Sequence, residues 1–135
     1  AQKLSKTLLS QVDYLTPNEG ELRALTGETD INQSIDIVRG WGVHNLVVTL
    51  GHQGARVISA GVDEHLPAFS VTAVDTTAAG DAFNGALAVG LAEAQPLLDA
   101  VQFGMAAGAL AVTKRGAQPS LPTREAVENF LKSQQ

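Results

Sequence analysis

A chain of 135 residues has the size of one ordinary domain, and its 44% apolar content is enough to build a core, which argues against wholesale disorder. A net charge of −5 with no basic stripe argues against nucleic acid as the main partner. With no cysteine, disulfides and thiolate metal sites are excluded, and a reducing, cytoplasmic location fits.

The N-terminal AQKLSKTLLSQ is mildly amphipathic, without the apolar run of a signal peptide, and predicts a short helix over Leu4–Gln11. The first residue is Ala rather than Met, which reads as processing, trimming or a longer parent chain. A short strand over Asp13–Thr16 ends at Pro17. Asn18–Thr26 reads as a helix closed by Gly27, and Asp30 caps another with Ile31, Ile35, Val38 and Trp41 on its apolar face. Asn45–Leu50 (NLVVTL) has the continuous apolar character of a strand buried on both faces. Gly51-His52-Gln53-Gly54 is a turn. Ala55–Ser59 and Glu64–Phe69 read as shorter strands, one antiparallel to its neighbour, and Val71–Val74 as a last extended segment. Gly80–Ala94 is rich in Ala and Gly, with Phe83, Leu87 and Leu91 as its large residues, and reads as a central, buried helix. Pro96 opens a helix running to about Lys114, and Thr123 caps the last one. The uncharged stretch from Ala100 to Thr113 is too short to span a bilayer, so a soluble protein without a membrane partner is expected. Alternating helices and strands predict an α/β fold.

The segment Val71–Asp81 carries the chemistry. A strand feeds Asp75-Thr76-Thr77-Ala78-Ala79-Gly80-Asp81, a turn that opens a helix. Free backbone N–H groups and the positive helix end make an anion site, and Gly80 lets backbone approach a phosphate. The same dipole stabilises a carboxylate at Asp81, which can accept a proton from an attacking hydroxyl. Asp75 and Asp81 equally read as ordinary caps around a turn, and local physics does not separate the two. The chain has neither GxxxxGK[ST] nor GxGxxG, which disfavours a P-loop and a dinucleotide site.

Three further segments are each ambiguous. Asn18 and Glu21 fit a capping box, or a place near phosphates with Glu21 acting on magnesium through water. Thr49-Leu50-Gly51-His52-Gln53-Gly54 fits a hairpin turn, or a nucleotide wall at the carboxyl end of a buried strand. Lys114 to Ser120 fits a C-cap loop around Gly116, or a cation site at exposed helix carbonyls. His44, His52 and His65 lack metal-ligand spacing and read as surface or turn residues.

Pro17-Asn18-Glu19-Gly20-Glu21, Thr49–Gly54, Asp75–Asp81 and Arg115–Pro122 read in order as PNExE, TLGxxG, DTxAAGD and RGAQPSxP. Together they resemble the ribokinase (PfkB-type) family of carbohydrate kinases. The likeness spans essentially the whole chain, and the four motifs in this order are specific where each alone is weak. The Ala-Ala-Gly-Asp form, followed by Phe-Asn-Gly-Ala-Leu and Gly-Ala-Gln-Pro-Ser, is closer to the ribokinase branch than to fructokinase or adenosine kinase.

The resemblance implies a three-layer α/β/α ribokinase-like sandwich, incomplete. Residues 1–135 would form its C-terminal, nucleotide-binding portion, without the N-terminal lid and sugar-binding half. It implies an ATP-dependent kinase that phosphorylates the primary hydroxyl of ribose to ribose 5-phosphate. The alternatives are a nucleotide-binding fragment without catalysis of its own, or a kinase for another furanose. By the same resemblance Asp81 is the base, and the amides of Ala78, Ala79 and Gly80 form the anion hole. Asn18 and Glu21 lie at the phosphate and Mg2+ region, and Thr49–Gly54 line the adenosine. Asp75, Thr77, Ala111, Lys114, Gly116 and Ser120 form a loop for a monovalent cation, K+. Met105 stands where relatives place His or Asn against the adenine, a departure that removes a hydrogen bond but keeps packing. Missing neighbours would leave an open edge at the Asn45–Leu50 strand and uncovered apolar helix faces. That implies pairing with a second copy, retention of a cleaved N-terminal half, or only marginal stability.

Overall fold

The computed structural model describes residues 14–72, 79–113 and 122–134. The helix expected over Leu4–Gln11 lies outside them, as do Asp13, Ala73 and Val74. The chain divides into two compact units, Ala1–Pro67 and Ala68–Gln135.

The first unit begins with α1 (Glu19–Thr26), which starts at a complete capping box on Asn18 and stops at Gly27. Gly27 has φ 75°, a left-handed conformation that costs glycine nothing, and its N–H donates to the Arg23 carbonyl. Helix α2 (Ile31–Gly40) starts where the Asp30 side chain accepts from the Asn32 N–H, and it buries Ser34, Ile35 and Val38. Trp41, expected on its apolar face, is half-buried just past its end. The buried Ser34 hydroxyl meets Thr26 Oγ1 at 2.8 Å, so this buried polar group between the helices is satisfied.

Strand β1 (Leu46–Thr49) is shorter by one residue at each end than expected, and Leu46, Val47 and Val48 are fully buried. It runs antiparallel to β2 (Ala55–Ser59), which runs antiparallel to β3 (Val62–Leu66). Both pairings are therefore antiparallel, where one was expected. On its other side β1 is bridged in parallel by Leu15 and Asn18. Bonds from Leu15 N to Asn45 O, Val47 N to Leu15 O and Thr49 N to Pro17 O run from 2.9 to 3.1 Å. The expected open edge at β1 is thus not observed, because the segment before α1 already pairs with it. Leu46, Val48 and Ile58 share the sheet face that meets Leu22, Ile35, Val38 and Val43, and this is the core of the unit.

The expected third strand, Glu64–Phe69, is displaced toward the N-terminus. Ala60-Gly61 makes a two-residue turn with Gly61 at φ 73°, which pairs Ser59 with Val62 and ends the ladder at Leu66. Pro67 has no amide hydrogen to extend it. Val71 and Thr72 have no regular structure.

The described elements of the second unit are three helices, α3 (Ala79–Ala92), α4 (Leu97–Val112) and α5 (Arg124–Ser133). Pro96 stands at the start of α4, and Thr123 Oγ1 accepts from the Ala126 N–H at 3.2 Å to cap α5. Close approach of α3 and α4 requires glycine. A Cβ on Gly104 would lie 2.9 Å from the Phe83 carbonyl oxygen, and one on Gly90 would lie 3.0 Å from the Ala100 Cβ. Helix α5 closes a cluster of Ala82, Phe103, Ala106, Ala107, Ala111 and Val127. Phe69 meets Phe130 edge-on, with centroids 5.2 Å apart. Only one face of α3 is buried, through Ala82, Phe83, Leu87 and Gly90. Gly85, Ala88, Val89 and Ala92 are exposed, so the central, buried helix expected here is half-covered among the described residues.

Candidate functional site

Two of the sequence-predicted segments meet at the carboxyl end of β1. The chain runs out of β1 at Thr49, bends at Leu50 and makes a short 3-10 turn over Gly51–Gln53. Gly51 has φ 60° and Gly54 has φ 99°, values that favour glycine at both positions. The loop is closed by Leu50 N to Gly54 O at 2.8 Å, Gln53 N to Leu50 O at 3.1 Å and Gly54 N to Gly51 O at 3.1 Å. Gly51, His52 and Gln53 are exposed. Asn18 bridges directly to Thr49, so the start of α1 lies beside this loop.

At that helix start the structural alternative is realised. Asn18 Oδ1 accepts from Glu21 N at 2.8 Å, and Glu21 Oε1 accepts from Asn18 N at 2.9 Å. The box uses Asn18 Oδ1 and Glu21 Oε1, so the Asn18 Nδ2 donors and the second Glu21 oxygen take no part in it. Both residues are exposed, so a ligand has access to them. A Mg2+ ion bound mainly by ligand phosphates needs one or two carboxylates, and Glu21 suits that demand. Among the described residues no group of three or more His, Cys, Asp or Glu forms a self-sufficient metal site.

The sheet face beside this loop turns polar toward β3. Arg56 binds Asp63 through both carboxylate oxygens, each at 3.0 Å, and also binds the Asn32 side chain at the start of α2. The Arg56 guanidinium holds the Asp63 carboxyl below the usual carboxylate range, chiefly by hydrogen bonding. His65, which the sequence assigned to surface or turn, is exposed but not idle: its Nε2 lies 2.5 Å from the Gln53 carbonyl oxygen. Its position two residues after Asp63 on β3, on the same face, was the available signal.

In the second unit, Ala79, Gly80 and Asp81 form the first turn of α3, and Gly80 and Asp81 are exposed. A Cβ on Gly108 would lie 3.3 Å from the Ala79 carbonyl oxygen, so the α3 start rests on the last turns of α4. Ala111 is in the final turn of α4 and buried, on that same end of the helix pair. Gly80 itself has nothing within 4 Å of where a Cβ would stand, leaving open space at the helix start. This arrangement exposes the first turn of a helix, with its positive end, and the Asp81 carboxylate on it. Met105 is half-buried on α4. At the other end of the pair Arg124 binds Glu93 and Glu128, and it draws the Glu93 carboxyl below its ordinary range. Asp75, Thr77, Ala78, Lys114, Gly116 and Ser120 lie outside the described residues. No helix among the described residues is long and apolar enough to cross a membrane.

Residues 1–124 match the family described as pfkB family carbohydrate kinase. The ribokinase of Haemophilus influenzae is 42% identical over 136 residues, covering 97% of this chain and 44% of that protein. The crystal structure of a ribokinase from Thermotoga maritima superposes with a TM-score of 0.91 at 46% identity, covering 97% of this chain and 46% of the other. The Arabidopsis thaliana ribokinase complexed with ribose and ATP superposes with a TM-score of 0.90 at 35% identity, covering 97% of this chain and 44% of the other. The chain therefore spans a little under half the length of these relatives, and its fold is the matching part of their α/β ribokinase fold. By both the family match over most of its length and these identities, the chain belongs to the pfkB family of carbohydrate kinases.

Proposed function

We propose that this chain is the C-terminal, nucleotide-binding portion of an ATP-dependent sugar kinase of ribokinase type. In this reading the γ-phosphoryl group of ATP passes to the primary hydroxyl of ribose, giving ribose 5-phosphate. The observation that carries it is Asp81: exposed, in the first turn of α3, at the helix end that rests on α4. Asp81 takes the hydroxyl proton as the sugar oxygen attacks, and the amides of Ala78, Ala79 and Gly80 receive the charge on the transferring phosphoryl group. Asn18 and the Thr49–Gly54 loop hold the nucleotide, Met105 packs on its base, and Glu21 holds Mg2+ through water. When bound, Mg2+ neutralises phosphate charge. A K+ ion in a loop of Asp75, Thr77, Ala111, Lys114, Gly116 and Ser120 would steady the anion hole. The rest of the sugar site comes from the N-terminal half of the kinase, and the chain associates with that half or with a second copy of itself, in the cytoplasm.

Asp81→Asn tests this in the kinase that contains this chain. Phosphoryl transfer to ribose should fall by about 100- to 10,000-fold while ATP binding persists in calorimetry. Near-normal turnover would overturn the assignment of the base. Assays with other pentoses and with fructose decide the sugar, and replacing K+ by Li+ should slow turnover if the cation loop is as proposed.

The coverage of 44% of the Haemophilus relative favours a second reading, a nucleotide-binding chain that does not catalyse alone. It predicts a rise in melting temperature with ATP and Mg2+ but no sugar phosphate formed until the missing portion is supplied.

A further inference from the structure

We infer that His65 is a positioning residue for the Gly51–Gly54 loop, holding its backbone in the shape that receives nucleotide. The inference rests on the proposed reading of that loop. The loop's internal bonds use the carbonyls of Leu50, Gly51 and Gly54. The Gln53 carbonyl, at the end of the 3-10 turn, is instead met from outside the loop by His65 Nε2 at 2.5 Å. A carbonyl only accepts, so Nε2 carries the proton and donates.

This bond matters because the loop has few other anchors. Gly51, His52 and Gln53 are exposed, and two of the four loop residues are glycines, with the largest conformational freedom to lose. His65, by contrast, stands on a strand in a fixed register, opposite Arg56. Arg56 is itself held by Asp63 and by Asn32 at the start of α2. The bond therefore ties a mobile-prone turn to the ordered sheet twelve residues later. The Asn18–Thr49 bridge fixes the entry side of the same loop. With both ends held, the exposed backbone of Gly51–Gln53 and the open space at Gly51 keep one arrangement, and a ligand binding there need not order them.

Two measurements on the chain test this. In His65→Ala, amide hydrogen exchange at Gln53 and Gly54 should accelerate, while exchange at Val47, Val48 and Val57 stays unchanged. The ATP dissociation constant should rise by about two- to ten-fold, the range of one hydrogen bond. His65→Gln keeps an N–H donor near the Nε2 position and should restore most of both losses. Unchanged loop exchange in His65→Ala would overturn the inference. So would accelerated exchange with unchanged ATP affinity, or equal losses in the Gln variant. Failure of the wild-type chain to bind ATP would instead overturn the nucleotide reading of the loop, and this inference with it.

Discussion

The two units are held together by opposite kinds of side chain. In the first, Leu22, Ile35, Val38, Leu46, Val48 and Ile58 fill the space between helices and sheet. In the second, Gly90, Gly104 and Gly108 let α3 and α4 come so close that little side-chain volume fits between them. The first unit is therefore most sensitive to loss of volume in its core, and the second to gain of volume in the seam between α3 and α4. The polar ends differ as well. The first unit's loop and helix start are fixed by side-chain hydrogen bonds at Asn18, Glu21 and His65. The start of α3, with Asp81, is set by backbone contact through Gly108.

The largest effect should come from deleting volume in the first unit. Leu46→Ala removes a fully buried side chain from the middle of the core. It should cost about 2–5 kcal/mol in urea denaturation. A loss below about 1 kcal/mol would mean that this core collapses onto the gap far more readily than such cores do.

Next comes added volume in the second unit. Gly104→Ala puts a methyl group 2.9 Å from the Phe83 carbonyl, and no flexible side chain can yield there. Overpacking should cost about 1–3 kcal/mol, outweighing the gain in helix propensity. Gly85→Ala, on the open face of the same helix pair, meets nothing within 4 Å. It should stabilise by up to about 1 kcal/mol. Equal effects from the two substitutions would erase the proposed contrast between a crowded and an open face.

The smallest effect is electrostatic. The folded-state Asp63 carboxyl is held below its unfolded value by Arg56, so the pair stabilises above the ordinary carboxylate range. That contribution is lost as pH falls through the lowered folded-state value. The Asp63 side chain is 51% exposed, so solvent screens the pair and Asp63→Asn should cost no more than about 1 kcal/mol at neutral pH. The difference between the two proteins should disappear once the wild-type carboxyl is protonated. A difference that grows toward acid pH would assign the effect to something other than this ion pair.

Local chemistry explains what was legible beforehand. The Asn18–Glu21 box, the Asp30 and Thr123 caps and the Gly27 stop all close within three or four residues, and each stands where the sequence placed it. The pattern of β1 was legible for the same reason, since Leu46, Val47 and Val48 announce burial by their own composition. The third strand was not, because Ala60-Gly61 is a weaker turn signal than Pro67 and register depends on which residues the partner strand presents. The two-sided cover of β1 depended on Leu15 and Asn18, residues some thirty positions away.

The candidate site divides in the same way. Residue types and spacing offered Asn18, Glu21, the glycine loop and Asp81 as either caps and turns or binding groups, because both are written in a few consecutive residues, and the likeness of four motifs in order to one family singled them out. Only tertiary structure set Asn18 beside Thr49, brought His65 to the Gln53 carbonyl and seated the start of α3 on Gly108 of α4. Those contacts join residues far apart in the chain, and they exist because sheet register and helix approach are settled by volume and hydrogen bonding across elements, which no local pattern encodes.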